Sequence, residues 1–352
     1  RTINNAVVKD TIPEGLAIDA ATIKLNSNEG TEYTAGGIGY TVSGQDFTYN
    51  LGNINSLQTI KFSTSVDPAV YNSNNTKNYS NKAYLTGDGV PAGTSAGKGV
   101  GVSPSIIKKA GAGYDASKGI ITWKITINND KTNVAPNAVI TDTIPEGQKY
   151  IPGTANIDDG TNGSFTTLED GKVVYTFNNS FSKTYTITFK TQITNDTHYR
   201  ANYSGNYSNL VNITAVGINQ NTTGNQTVNS NIIQKSGKGY DYSTREITWQ
   251  IVVNNNKMNI TNAVVTDTIP DGQEYVNGSA VIDGAAQGSF NSDSDINSTG
   301  KVVYTFKPGS TIDKTYTIKF KTKLTDLSIF NTSGDKTIKN TASITEIGRA
   351  HV

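Results

Sequence analysis

The sequence predicts an all-β chain made of antiparallel β-sandwiches in a row. Three observations carry that reading. One unit recurs three times, its segments alternate apolar and polar residues with period two, and no window carries a helical stripe. The recurrence is plainest in Asn5–Gly15 (NAVVKDTIPEG), Asn137–Gly147 (NAVITDTIPEG) and Asn262–Gly272 (NAVVTDTIPDG). Their aspartates Asp10, Asp142 and Asp267 lie 132 and 125 residues apart. Solenoid repeats run about 20–50 residues, so this period belongs to whole domains in tandem.

Each strand follows from its own pattern. In the second copy Ile106–Asp115 (IIKKAGAGYD) leads into Ile121–Ile127 (ITWKITI), and in the third Ile232–Asp241 leads into Ile247–Val253 (ITWQIVV). Ile121, Trp123, Ile125 and Ile127 share a face, as do Tyr185, Ile187 and Phe189. Lys172–Phe177 and Lys183–Phe189 return as Lys301–Phe306 and Lys314–Phe320, with weaker forms in Phe47–Leu51 and Thr59–Phe62. A closing block reads Tyr79–Leu85, Tyr207–Ile213 and Ile338–Ile344. Clusters of Gly, Asn and Asp separate these runs. Domain edges are placed near residues 103 and 230, in the Gly/Ser/Val stretch 93–103 and the Asn/Thr/Gly stretch 218–230. The predicted domains are 1–103, 104–229 and 230–346. The first lacks the Lys block and the Trp strand that open the other two, so it is expected to be the least stable.

Both termini look unnatural. Residues 347–352 are expected to be an artefact: Glu346–Val352 is what GAG ATC GGA AGA GCA CAC GTC encodes, a string containing a common sequencing-adapter read. The first copy is correspondingly read as cut, in preference to a split domain completed by another chain.

Composition excludes several classes. Thirty Lys and Arg against 29 Asp and Glu leave a net charge of +1, so no nucleic-acid or polybasic membrane footprint exists. No run approaches the roughly 18 apolar residues of a membrane span. Without cysteine there is no disulfide, thiolate metal site or cysteine nucleophile. Only His198 and His351 are present, which removes most hydrolase and metalloenzyme chemistry. No enzyme with turnover, cofactor or metal is expected.

Period two also points polar residues inward. Ala138, Ile140 and Asp142 share a face, as do Ala6, Val8, Asp10 and Ala263, Val265, Asp267. Asn209 faces with Val211 and Ile213, Asn340 with Ala342 and Ile344, and Asn81 with Ala83 and Leu85. Lys109 follows Ile107 by two, and Lys235 follows Ile233. Each complete copy therefore aims one Lys, one Asp and one Asn into an apolar interior, where unpaired ions cost several kcal/mol. Two explanations stand side by side. One is a buried Lys–Asp ion pair with a satisfied amide. The other is a covalent bond, formed when a desolvated, neutral lysine amine attacks the Asn side chain while a protonated Asp polarises it and ammonia leaves.

The order Lys, ITW, NAV(V/I)TDTIP(E/D)GQ and closing-strand Asn resembles the immunoglobulin-like domains of Gram-positive wall-anchored adhesins of the collagen-adhesin A-type. The resemblance covers nearly the whole chain. It implies tandem Ig-like sandwiches in an elongated array and spontaneous Lys–Asn isopeptide bonds, Lys109–Asn209 assisted by Asp142 and Lys235–Asn340 assisted by Asp267. Spacing agrees between the copies, with 33 and 32 residues from Lys to Asp, then 67 and 73 from Asp to Asn. The first copy departs from it. Asp10 and Asn81 are present, but Lys9 and Lys82 fall on the opposite face, so that copy is expected to be unlinked. The resemblance further implies an extracellular stalk or adhesive region whose partners are neighbouring repeats and, as the alternative, collagen or another host matrix protein.

Other signals read as bland. Asp293–Asn297 (DSDIN) has the oxygen ligands of part of a calcium loop, but its glycine falls at Gly300 and no closing Glu follows, so a solvated loop is expected. His198 is expected to be exposed, and Trp123 and Trp249 to be core anchors.

Overall fold

The computed structural model describes residues 2–169, 171–283, 287–331, 334 and 336–346. The chain is all-β, and every paired strand in its sheets is antiparallel. The predicted artefact tail, 347–352, lies outside the described residues, and so does His351.

Unit two shows the architecture in full. Five strands form one sheet: the lysine strand Ile107–Asp115, the tryptophan strand Ile120–Ile127, Tyr185–Ile193, Gln148–Tyr150 and the short Asn156–Ile157, which also pairs with Tyr185–Ile193. In the facing sheet the aspartate strand Val139–Thr143 lies between Lys172–Phe177 and the asparagine strand Tyr203–Ala215. Gly163–Glu169 forms one edge of that sheet and the return strand Ile218–Ser230 the other. Burial alternates along these strands as period two requires: Ile121, Trp123, Ile125 and Ile127 are buried between half-buried or exposed neighbours. Unit three repeats the arrangement with Ile233–Asp241, Glu246–Val253, Tyr316–Leu324 and Gln273–Tyr275 facing Gly288–Phe290, Lys301–Phe306, Ala263–Thr268 and Thr341–Glu346.

Two local devices recur. In each TIP(E/D)G turn the glycine holds a positive φ (88° at Gly15, 84° at Gly147, 77° at Gly272), where a Cβ would be strained. At the end of each tryptophan strand a fully buried asparagine, Asn128 or Asn254, adopts φ near +55°. Its side chain replaces missing backbone bonds: Asn128 accepts from Thr132 N at 2.9 Å, and Asn254 from Met258 N at 2.8 Å.

The core of unit two centres on an aromatic cluster. Phe177 is fully buried, with Phe181, Tyr175 and Tyr185 rings at 4.2, 4.9 and 4.9 Å. Phe177→Ala is expected to lower unit-two stability by about 3–5 kcal/mol through lost contacts and a cavity, measured by urea unfolding.

Unit one has one five-stranded sheet, from Gly39–Ser43 through Asp46–Ile54, Ile3–Thr11 and Lys77–Thr86 to Ser95–Val102. Three strands, Asn28–Glu29, Leu16–Leu25 and Ile60–Val66, make up its second sheet. No strand equivalent to the lysine or tryptophan strand occurs there among the described residues. Its buried core is correspondingly thin: Ala6, Ile23, Phe47, Tyr49 and Leu51.

The structure corrects three expectations. The stretches 93–103 and 218–230, read as the irregular ground in which the domain edges fall, are largely strand: Ser95–Val102 and Ile218–Ser230 fold back on Lys77–Thr86 and Tyr203–Ala215. Long antiparallel ladders hold them despite their polar composition; Ile218–Ser230 also turns every other residue inward, whereas Ser95–Val102 is exposed almost throughout. The DSDIN segment is not a loop but the helix Asp293–Thr299. Ser292 caps it, Gly300 ends it in the left-handed region, and Ile296 is anchored in the core. His198 is half-buried rather than exposed, stacked on Tyr203 at 3.9 Å and hydrogen-bonded to the Tyr207 hydroxyl at 2.6 Å.

Candidate cross-link sites

The face parity read from sequence brings Lys109, Asp142 and Asn209 together. Lys109 comes from the lysine strand, Asp142 from the centre of the opposite sheet, and Asn209 from the strand beside it. Lys109 Nζ contacts Asp142 Oδ2, and neither side chain is exposed to solvent. Asn209 is buried next to Asp142, where its amide favours the carboxylate. Neither amide atom of Asn209 makes a well-directed hydrogen bond, nor does Asp142 Oδ1. An amide left unsatisfied in a dry interior is energetically costly, so this asparagine is not a simple packing residue.

Two aromatic rings wall the amine: its Nζ stands 5.1 Å from the Trp123 ring and 4.9 Å from Phe189. Trp123 is fixed by its indole N–H, which donates to Thr191 Oγ1 at 3.0 Å and Gln148 Oε1 at 3.2 Å. Its role is therefore double, core anchor and wall of the lysine site. Sequence reading missed Phe189 as a wall. Its signal was the recurrence of Phe189 and Phe320 across from Trp123 and Trp249 in the ladder.

Burial dominates the electrostatics. It pulls the Lys109 amine down to about 8, against the attraction of Asp142. It pushes the Asp142 carboxyl up, against Lys109 and Asn209. Both shifts favour a neutral amine facing a protonated carboxyl over the separated ions.

Unit three repeats the site. Lys235 Nζ contacts Asp267 Oδ2, with the Trp249 and Phe320 rings at 5.0 and 4.7 Å. Burial lowers Lys235 and raises Asp267. Asn340 lies beside Asp267, neither of its amide atoms making a well-directed hydrogen bond, immediately before the strand Thr341–Glu346. That strand is shorter than the predicted block Ile338–Ile344 at its start, and Lys235 is slightly more exposed than Lys109, 8% against 0%.

Unit one brings together only two of the three. Asn81 Nδ2 donates to Asp10 Oδ2 at 3.0 Å, and burial raises the Asp10 carboxyl. Lys9 and Lys82 are exposed, the latter against the Tyr84 ring at 5.0 Å. Asn81→Ala is expected to change the chain's intact mass by the substitution alone, read by mass spectrometry, because no amine reaches that amide.

Among the described residues no cluster of three or more His, Asp or Glu is arranged to hold a metal, and no helix is long and apolar enough to cross a membrane.

Two sandwiches each bring a lysine, an aspartate and an asparagine together, fully buried in unit two and partly buried in unit three, and comparison gives the family. The collagen-binding-domain model matches residues 104–223 and 230–348, and the chain belongs to that family. No curated protein matches it significantly. Among solved structures, the collagen-binding domain of a Staphylococcus aureus adhesin is 18% identical, covering 36% of this chain and 100% of its own, with a TM-score of 0.25. The collagen-binding subdomain of the Enterococcus faecalis surface protein ACE is 15% identical over 35% of this chain and 97% of its own, TM-score 0.27. The major pilin subunit of Bacillus cereus is 11% identical over 85% of this chain and 84% of its own, TM-score 0.31.

Proposed function

We propose that the chain is a load-bearing region of a Gram-positive cell-surface adhesin, built from domains 1–103, 104–229 and 230–346. In this reading the second and third each close a Lys–Asn isopeptide bond. The observation that carries it is the repeated buried contact of Lys109 with Asp142 and of Lys235 with Asp267, each beside an asparagine whose amide is otherwise unspent.

The chemistry is acyl transfer within one chain. The neutral Lys109 amine attacks the Asn209 side-chain carbonyl carbon, and the protonated Asp142 hydrogen-bonds the carbonyl oxygen as charge develops there. Asp142 then carries a proton from the lysine nitrogen to the departing NH2. The C–NH2 bond breaks, ammonia leaves, and an amide joins Lys109 to Asn209. Asp142 ends as it began. Asp267 plays the same part for Lys235 and Asn340. Burial supplies both the neutral amine and the protonated acid, and the sheets supply the fixed approach that makes attack on an amide feasible. The bond forms once in each of the second and third domains and is not turned over, so the protein is a self-modifying scaffold and not an enzyme.

The cross-link ties the first strand of unit two to its penultimate one, because the return strand follows Asn209. Tension entering near residue 104 and leaving near residue 230 then passes through the bond, and the 99 residues between Lys109 and Asn209 carry no load. Pulling single molecules tests this: the wild type should release no length from that loop, whereas release of the whole loop would overturn the reading.

A second reading, adhesion to collagen or another host matrix protein, is favoured by the family match. Binding of the chain to immobilised collagen, saturable and undiminished in a cross-link-deficient variant, would place recognition beside the mechanical role. Absence of binding would leave this stretch as stalk.

A further inference from the structure

The lysine site of unit two has one more wall. The return strand buries alternate residues, Ile218, Gly224, Val228 and Ser230 among them, and packs alongside the lysine strand. Gly224 is the cross-strand partner of Asn209. A Cβ built on Gly224 would stand 2.6 Å from Lys109 Cγ and 2.8 Å from both the Lys109 carbonyl carbon and the Ala110 nitrogen, closer than unbonded atoms approach. Gly111 lies in the same way against Gln226 and the Asn225 carbonyl. Further along, the Tyr114 hydroxyl bonds Ser230 Oγ at 2.8 Å. Glycines on both sides therefore let two edge strands meet over Lys109. In unit three the described residues place no strand beyond Thr341–Glu346 in that sheet. A groove of about 530 Å³, lined by Gly237, Gly239, Trp249 and Ile338, opens there instead.

We propose that the return strand is the seal of the Lys109 site and Gly224 its positioning residue: any side chain at 224 lifts the strand and admits water to the reacting amine. This rests on the cross-link reading above and deepens it. Asp142 is the charged group acting on Lys109; the return strand carries no titratable residue, and Trp123, Phe189 and Asn209 complete the surroundings. The reactive state, neutral amine with protonated carboxyl, holds as many protons as the ion pair. Water entering the site therefore shifts the balance between these two forms toward the ions, which slows the reaction at every pH. It also widens the pH range over which the pair keeps its single proton.

The test follows each bond over time in the full chain made by cell-free synthesis, quenched at intervals and digested, with the cross-linked peptides quantified between pH 4 and pH 10. Gly224→Ala is expected to slow Lys109–Asn209 formation about tenfold at neutral pH, one pKa unit's worth of lost desolvation. Its pH profile should broaden, the alkaline limb moving up from about 8 toward the ordinary lysine value of 10.5. The Lys235–Asn340 bond in the same molecules should keep its rate. In the wild type, Lys109–Asn209 should form before Lys235–Asn340. A wild-type rate in Gly224→Ala, or a slower rate with an unbroadened profile, overturns the seal. Should the variant leave unit two protease-sensitive, the wild-type order decides, and Lys235 reacting first overturns the proposal. If the wild type forms neither bond, the cross-link reading itself falls, an outcome distinct from bonds that form without regard to residue 224.

Discussion

Lys109→Ala should change unit two more than any other single substitution. Half of the chain's mass deficit should vanish, and pulling should release roughly 350 Å of additional chain, the 100 residues from 109 to 209 at about 3.5 Å each. Cross-linking a loop of that length stabilises a fold by about 4–5 kcal/mol in the chain-entropy account. Truncation also empties the space between Trp123 and Phe189, since Lys109 is fully buried against both rings. Thermal unfolding of unit two should therefore fall well below that of unit three, which keeps its bond. A force–extension trace identical to wild type would contradict this.

Asp142→Ala should do comparable damage by another route. The lysine and asparagine remain, yet no acid polarises the amide or carries the proton, so the bond does not form. The amine is left in an aromatic box without its counter-ion, and breaking a buried pair from one side costs about 3–5 kcal/mol. The two losses can be separated. Adding Lys109→Met to Asp142→Ala should recover the electrostatic part, because an apolar chain of similar length suits the same walls, while the mass deficit stays lost. Urea unfolding and mass spectrometry of the two variants together check this. If Asp142→Ala still lost ammonia at Lys109, the aspartate would have no part in the chemistry.

Much of the site is legible in the amino-acid sequence. Alternation places Lys109, Asp142 and Asn209 on inward faces because a strand leaves a side chain only two directions, and the apolar neighbours Ile107, Ile140 and Val211 fix which one is inside. The tandem repeat then shows the triad twice. What escapes such a reading is settled by tertiary contact or hidden by composition. The return strand Ile218–Ser230 resembles a linker because, between Ile218 and Val228, its inward residues are small or polar, and the feature that matters, Gly224 facing Lys109, belongs to two strands over 100 residues apart. His198 lies in a polar run, and only the fold brings Tyr203 and Tyr207 against it. The helix Asp293–Thr299 is too short for a periodic stripe, although its cap Ser292 and its stop Gly300 both stand in the sequence.

The units also touch. Arg200 Nη2 of unit two pairs with Glu346 Oε2 at 2.8 Å, and Glu346 accepts from Thr261 N and Oγ1. Glu346 is thus integrated into the strand Thr341–Glu346.

The measurement that bears most directly on the whole account is the intact mass of the purified chain. Each isopeptide bond expels one ammonia, so two bonds should leave the mass about 34 Da below the value the sequence requires. Lys109→Ala should halve that deficit after allowing for the substitution. A mass equal to the sequence value would contradict the account, leaving both Lys–Asp–Asn sites as buried polar clusters without a bond.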